Sequence, residues 1–245
     1  MRVTRNLSRA GVVVMAVSLA VFCGALPASA SPNIVVSGNF SHALSLPPAT
    51  ACAPVPVSLG RWQVIEGNAG SNVTRTTTPT HIGAHSLDVT GEASSNPQCG
   101  VYGVYQDLPA GSIPASTSFK LSFWMYAVQG GTQSQMVIYG WVNRDNGGPT
   151  FGVTENLTNN TLTSTAWGTS TTVSMTFATN TWYHLTLLVN ASTLRSALKV
   201  GNAVVAHTPT GSAFPLAQPT VFLGQAATTA PVATIFYYDT VNVSL

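Results

Sequence analysis

Apolar and polar residues alternate most clearly between Thr181 and Ala206. Two sets of side chains occupy alternate positions at the start of this segment: Tyr183, Leu185, Leu187 and Val189 form one set, and Trp182, His184, Thr186 and Leu188 form the other. A polar turn at 190–193 precedes a second alternating run, and Gly201-Asn202 leads into a third. Period-two alternation interrupted by Asn, Ser and Gly indicates strands with one buried side. The segment therefore predicts a three-stranded antiparallel meander.

Similar short segments recur along the chain, and Phe119–Tyr126 is the strongest of them. Further strands are predicted at Asn33–Val36, Arg61–Ile65, Ser86–Thr90, Val101–Gln106, Met136–Val142, Phe151–Val153, Val221–Gly224 and Ile235–Val243. The stretch around Pro47 and Pro48 is predicted to be a surface loop, because proline removes backbone donors. Many short strands without sustained helical periodicity predict an all-β fold. We expect a two-sheet antiparallel β-sandwich of the jelly-roll type.

The first 30 residues have the features of a secretory signal peptide. Arg2, Arg5 and Arg9 give a basic start, residues 10–25 are uncharged and apolar, and Leu26–Ala30 offers an A-x-A cleavage site. The apolar run is shorter than the roughly 20 residues that span a bilayer, which argues against an uncleaved membrane anchor. We expect residues 1–30 to be removed and residues 31–245 to form one secreted domain, with no membrane attachment after cleavage.

Removal of this segment changes the charge of the protein. The full sequence has nine basic and seven acidic residues, with a formal net charge of +2 at pH 7. Three of the basic residues lie in the first 30, so six remain against seven acids, and the net charge becomes −1. A nearly neutral chain has no basic surface for phosphate backbones, which argues against nucleic acid as a partner.

Two cysteines, Cys52 and Cys99, remain after the signal segment. An even number of cysteines in a secreted chain predicts a disulfide. The bond would close a loop of about 48 residues, which corresponds to about 4 kcal/mol of stabilisation by chain entropy. Two distant cysteines offer too few ligands for a metal site. We therefore predict that Cys52 and Cys99 are bonded to each other.

Several short segments resemble secreted carbohydrate-binding sandwiches. They are Ser37–Phe40, Gln106–Gly111, Thr181–Leu187, Leu198–Val204 and the closing Phe236–Val243. The opening and closing segments resemble both the concanavalin A-like, laminin-G-like sandwich and the galactose-binding-like jelly roll of xylan- and glucan-binding modules. The Trp-His strand followed by a strand ending in a glycine turn is more similar to the laminin-G type, which we favour. The resemblance implies a shape and not an activity.

The acidic residues do not form the pattern expected of a glycan-cleaving enzyme. Glucanases of the concanavalin A-like type would place acids at alternate positions of one strand, and no two acids here are two residues apart. The closest two are Asp88 and Glu92, which lie about 13 Å apart on an extended strand. Glycosidase carboxylates lie about 5 to 9.5 Å apart. We expect no catalytic residues, and a glycoside hydrolase or polysaccharide lyase is the less favoured alternative.

Metal ligation also lacks a clear pattern. His81 and His85 are four residues apart, but Gly83 and the strand context remove the helix that would align them, so we interpret them as surface histidines. Related jelly rolls sometimes hold calcium at the position of Asp239. Their pattern often has two adjacent acids there, whereas this chain has Asp239-Thr240, so we favour a structural aspartate. We expect no cofactor and no metal, with calcium as the alternative.

Sugar recognition requires flat aromatic rings together with hydrogen-bonding groups at the edge of the sugar. One segment offers both kinds of residue within eight positions: Tyr139, Trp141, Asn143, Arg144 and Asp145. Alternation would place Tyr139, Trp141 and Asn143 on one side of an extended strand. We predict a ligand-binding site there. The alternative is that the tryptophan is a core residue and that the polar residues form only a turn.

The remaining tryptophans are less informative. Trp167 has partly polar flanks and could belong to a site or to the core. Trp62, Trp124 and Trp182 lie in strongly apolar strands, so we expect them in the core. The sequence as a whole predicts a secreted, non-catalytic, lectin-like domain that binds a polysaccharide or glycan. The alternative from another class is a structural or adhesive extracellular surface protein; the sequence gives no prediction of the oligomeric state.

Overall fold

The computed structural model describes residues 32–50, 59–66, 72–91, 101–114, 116–129, 133–141, 150–213, 218–226 and 234–245. Within these ranges the chain forms fifteen strands. They are β1 Ser45–Thr50, β2 Gln63–Glu66, β3 Asn72–Thr76, β4 Ser86–Gly91, β5 Val101–Asp107, β6 Phe119–Gln129, β7 Gln133–Trp141, β8 Thr150–Asn156, β9 Thr161–Ala166, β10 Thr169–Ser174, β11 Trp182–Asn190, β12 Arg195–Val200, β13 Ala203–His207, β14 Gln218–Ala226 and β15 Thr234–Ser244.

These strands form two sheets, which confirms the all-β sandwich. The first sheet has eight strands in the order β1-β2-β5-β14-β7-β8-β9-β10, and the second has seven in the order β13-β12-β11-β6-β15-β4-β3. Neighbouring strands are antiparallel, apart from the parallel pair of β1 and β2. The predicted meander is present as β11, β12 and β13, at one edge of the seven-stranded sheet.

The core lies between the sheets and follows the alternation of the strands. On β6, five alternate positions are buried: Phe119, Leu121, Phe123, Met125 and Ala127. Trp62 is 2% exposed, as predicted, and its indole Nε1 donates a hydrogen bond to the Ser37 carbonyl at 3.0 Å. A carboxyl group enters this apolar interior: Glu155 on β8 is 1% exposed, and neither of its oxygens has a hydrogen-bond partner among the described residues.

The segment at Asn33–Val36 corrects one predicted strand, because it forms a turn fastened to the last strand. The Asn33 side chain donates to the Val241 carbonyl at 2.9 Å and accepts from the Val243 amide at 2.9 Å. Gly38 follows, and a Cβ added there would collide with the Val241 carbonyl oxygen. The Ile34 amide adds one backbone hydrogen bond to the Val243 carbonyl at 2.8 Å, but the Asn33 side chain makes the neighbouring contacts that a strand would have made with its backbone.

The proline-rich stretch is the second correction. Residues predicted to be a loop form β1, which pairs in parallel with β2 at the edge of the eight-stranded sheet. Prolines are tolerated in strands at such edges, where a missing N–H interrupts no second ladder. Cys52 and Cys99 lie outside the described residues, so their disulfide stays a prediction.

All fifteen strands belong to one compact unit, Ser31–Leu245. Residues 1–30 lie outside the described ranges, and the signal peptide stays a prediction. Within the described part of the chain, no helix is long and apolar enough to cross a membrane.

Candidate functional site

The outer side of the seven-stranded sheet carries a group of rings that we call the aromatic face. It consists of His81, Trp124, Tyr126, Trp182, His184 and Tyr237, all of them half-buried. Alternation along the strands explains their position. Phe123 and Met125 of β6 and Leu185 and Leu187 of β11 point into the core, so the residues between them face outward.

Strand register gathers these rings into two rows across the sheet. In the first row Trp182 lies opposite Tyr126, which lies opposite Tyr237, and Asp88 of β4 follows. In the second row His184 lies opposite Trp124, and Trp124 lies opposite Asp239. The rows are two residues apart along each strand, which corresponds to about 7 Å. The result is a ring-covered surface on three adjacent strands.

A loop between β3 and β4 adds His81 to this surface. Asp239 is fully buried, and its Oδ2 accepts hydrogen bonds from the backbone amides of His81 at 2.9 Å and Ile82 at 2.8 Å. Its Oδ1 accepts from the Thr240 hydroxyl at 3.0 Å. The Ser86 hydroxyl fixes the same loop through the Pro79 carbonyl at 2.6 Å. Asp239 therefore fixes this loop through N–H and O–H donors, and the expectation that no calcium binds stays a prediction.

The rings contact one another in a continuous chain. The imidazole of His81 stacks on the indole of Trp124 with centroids 3.5 Å apart and planes at 18°, and His184 stacks on Trp124 at 4.7 Å and 14°. Tyr126 contacts Trp182 at 5.1 Å and Tyr237 at 6.0 Å. Each ring therefore orients its neighbours, and the exposed edges and faces are held in fixed positions.

The electrostatics of the face favour neutral imidazoles. Burial lowers the pKa of His81, an effect that the Asp239 charge partly opposes. Burial also lowers the pKa of His184, and the nearby Lys120, His81 and Lys199 lower it further. A neutral imidazole stacks on an indole as an apolar ring and keeps one nitrogen free to accept a proton or a hydrogen bond. Both histidines thus extend the aromatic surface near neutral pH.

Two carboxylates reach this side of the sheet in the described part of the chain, and they differ in exposure. Asp239 is fully buried under the loop. Asp88 is half-buried; its pKa is raised by burial, which the hydrogen bond from Thr90 partly offsets. No group of three His, Cys, Asp or Glu that could hold a metal ion occurs among the residues described. What the face offers chemically is stacking and hydrogen bonding.

The sequence-predicted site lies on the other sheet. Position 139 of β7 pairs with Thr220 and Thr150, and position 141 pairs with Gln218, so Tyr139 and Trp141 belong to a continuous strand as expected. Asn143, Arg144 and Asp145 lie outside the described residues. The structure therefore does not test this site, which stays a prediction.

The prediction of a core position was wrong for two tryptophans. Trp124 and Trp182 are half-buried on the outer side of the sheet, whereas Trp167 is 3% exposed and packs edge-on against Phe151 at 5.0 Å. The missed signal was the alternation itself. Lys120 and Ser122 occupy the same set of alternate positions as Trp124, and polar residues in that set mark the outward side.

No protein-family model and no curated protein sequence matches the chain. Solved structures do share its fold. Endo-β-1,4-glucuronan lyase from the fungus Trichoderma reesei has a TM-score of 0.54 and 13% identity, covering 77% of this chain and 92% of its own. A proposed sugar-binding protein from Bacteroides thetaiotaomicron has a TM-score of 0.50 and 13% identity, covering 87% and 99% respectively.

A sialidase also matches, with a TM-score of 0.51 and 11% identity over 75% of this chain; the chain spans 17% of that protein's length. At such identities the likeness shows the fold alone. The fold is the jelly-roll β-sandwich, which occurs here among sugar-binding proteins and sugar-directed enzymes alike.

Proposed function

We propose that the protein is a secreted, non-catalytic carbohydrate-binding protein and that it holds its glycan on the aromatic face. The observation that carries this proposal is the row of Trp182, Tyr126 and Tyr237, which presents three half-buried rings on adjacent strands. Ring faces and edges suit the C–H side of a sugar, and polar groups at their border suit its hydroxyls. Asp88 continues the same row and supplies an acceptor at that border.

A purely structural role for the aromatic face explains its geometry less well than ligand binding does. The Nδ1 atom of His81 and the Oδ1 atom of Asn242, both on this side of the sheet, are buried and have no hydrogen-bond partner among the residues that the structure describes. Unsatisfied buried polar atoms cost about 1–3 kcal/mol each. A surface kept at that cost is more easily explained by a function than by packing. The choice between the laminin-G-like and galactose-binding-like types of sandwich stays a prediction.

The test is a binding screen of the protein against soluble and insoluble polysaccharides, followed by substitutions. Trp182→Ala should weaken binding of any retained glycan by roughly 5- to 150-fold, since aromatic anchors contribute about 1–3 kcal/mol. Trp182→Phe keeps a ring and should retain most of the affinity. Unfolding curves of the variants ensure that only folded protein is compared.

Trp141→Ala is the matched control, because it removes the same side chain from the other sheet. If Trp141→Ala abolishes binding and Trp182→Ala does not, the site predicted from sequence at Tyr139–Asp145 is correct and the aromatic face is not the site. Measuring reducing ends and unsaturated products with the same polysaccharides tests the less favoured hydrolase or lyase. The adhesive alternative predicts that no polysaccharide is retained.

A further inference from the structure

Both lysines of the chain lie on the aromatic side of the seven-stranded sheet. Lys120 and Lys199 are the only lysines in the sequence. Lys120 is on β6, four residues before Trp124 and therefore about 13 Å from it along the strand. Lys199 is on β12 opposite Thr186, which is two residues from His184 on the neighbouring strand. In a protein with so little charge, this placement concentrates positive charge beside the rings.

Within the ranges that the structure describes, these two cations have no anionic partner. Neither the Lys120 nor the Lys199 ammonium group forms an ion pair or a hydrogen bond with another described residue. Both ammonium groups act on the His184 imidazole, where they disfavour its charged form, so both lie within electrostatic range of the stacked rings. Asp88, the half-buried acid of this face, is on β4, separated from β6 by β15. The border of the rings near His184 is therefore positive, since the described carboxylate close to it, Asp239, is fully buried and already accepts three hydrogen bonds.

We propose that the aromatic face selects polysaccharides built from uronic acids, with Lys120 and Lys199 binding the carboxylates of sugars that stack on the rings. This inference rests on the proposed function and specifies its ligand. A glycan running along the strands over Trp124 would extend toward Lys120 and pass beside Lys199. Residues 31–245 contain six basic and seven acidic residues, and two lysines in so weakly charged a segment suit one carboxylate per sugar better than a densely sulfated polymer, which proteins bind through many cations.

The experiment compares two polymers that differ only in charge: polygalacturonate and the neutral galactan obtained by reducing its carboxyl groups. Affinity electrophoresis or calorimetry at low salt should show at least about tenfold tighter binding of the acidic chain, because hydrogen bonds to charged groups are stronger than neutral ones. Added salt at about 0.5 M should reduce the preference, since exposed charges are then screened.

Substitutions identify the residues responsible. Lys120→Gln combined with Lys199→Gln should bring the two affinities within about twofold of each other, while Lys120→Arg with Lys199→Arg should keep the preference. Arg61→Gln with Arg75→Gln removes the same formal charge elsewhere in the chain and should leave the ratio unchanged. A ratio unaffected by the lysine substitutions, or equally reduced by the arginine substitutions, overturns the inference.

The outcomes separate this inference from the proposed function. If the protein binds acidic and neutral chains equally and Trp182→Ala abolishes both, the binding face is supported and the selectivity for uronic acids is overturned. If neither chain nor any other polysaccharide is retained, the proposed function itself fails. The experiment also includes dextran sulfate. If the protein binds dextran sulfate more tightly than polygalacturonate, and the double lysine substitution abolishes that binding, the choice of a carboxylate ligand is overturned.

Discussion

Glu155 should make the stability of the protein depend on pH in an unusual direction. Its carboxyl group lies inside the sandwich, on the same side of β8 as Phe151 and Val153, and has no hydrogen-bond partner. The Ser164 hydroxyl, on neighbouring β9, is likewise buried without a partner. Burial raises the pKa of Glu155 from the ordinary value of 4.5 to about 8, because the charged form would lose its hydration.

The sign follows from the protons bound in each state. Below pH 4.5 both the folded and the unfolded chain hold the proton, and Glu155 adds no pH dependence. Between pH 4.5 and about 8 the unfolded chain loses the proton while the folded chain keeps it, so the free energy of unfolding falls as pH rises. One pKa unit corresponds to 1.36 kcal/mol, so the loss is about 3 kcal/mol by pH 7 and about 5 kcal/mol above pH 8.

Glu155→Gln removes this dependence and keeps the size of the side chain. Urea unfolding followed by tryptophan fluorescence at pH 4, 5, 6, 7 and 8 gives the free energy of unfolding of variant and wild type. The contributions of other titrating groups cancel when the free energy of unfolding of the wild type is subtracted from that of the variant. This difference should increase by about 3 kcal/mol from pH 4 to pH 7. A difference constant across this range would refute the buried, protonated carboxyl. Glu155→Met should show the same pH trend from a more favourable starting point, because it leaves no unpaired amide.

Three further predictions concern contacts outside the interior. Asp239→Ala should lower the free energy of unfolding by about 2–3 kcal/mol, because it leaves the His81 and Ile82 amides unpaired. It should also weaken glycan binding, because His81 would no longer be held on Trp124. Asp239→Asn should have a smaller effect on both stability and binding. Gly38→Ala should lower the free energy of unfolding by more than about 1 kcal/mol, because its Cβ meets the Val241 carbonyl; Ser41→Ala, on the same turn, is the milder control. Thiol titration of the unfolded, unreduced protein should find no free sulfhydryl at Cys52 or Cys99, and two free thiols would contradict the disulfide.

The fold could be predicted from the sequence because its strongest strands have a single buried side. On β6 and β11 the inward residues are uniformly apolar, and polar residues interrupt the other set, so the strands and the meander followed from one pattern. The pattern was weaker at Asn33–Val36. There an apolar run suggested a strand, but the Asn33 side chain bonds to the last strand from more than 200 residues away. Such a partner cannot be inferred from neighbouring residues.

The candidate site was harder to predict than the fold, because the usual burial of tryptophan outweighed the alternation pattern in the prediction. Trp124 and Trp182 were expected in the core because tryptophan is usually buried, although their neighbours in the alternation are polar. His81 was considered only for its spacing to His85 and was interpreted as a surface histidine. It reaches Trp124 only because Asp239, a residue 158 positions away, holds its backbone amide. A site assembled from two strands and a distant loop depends on register, which composition and spacing do not contain.

The position of β15 has a consequence for the order in which the protein can fold. This strand is the last in the sequence, yet it lies between β6 and β4, near the middle of the seven-stranded sheet. Until Thr234–Ser244 has been synthesised, β4 and β6 lack the neighbour that joins them, and their apolar sides have no complete sheet to support them. Pairings of such long sequence separation form slowly, after local contacts. The chain should therefore stay largely unfolded throughout its synthesis, and a product ending before residue 234 should be degraded by proteases rather than accumulate as a smaller sandwich.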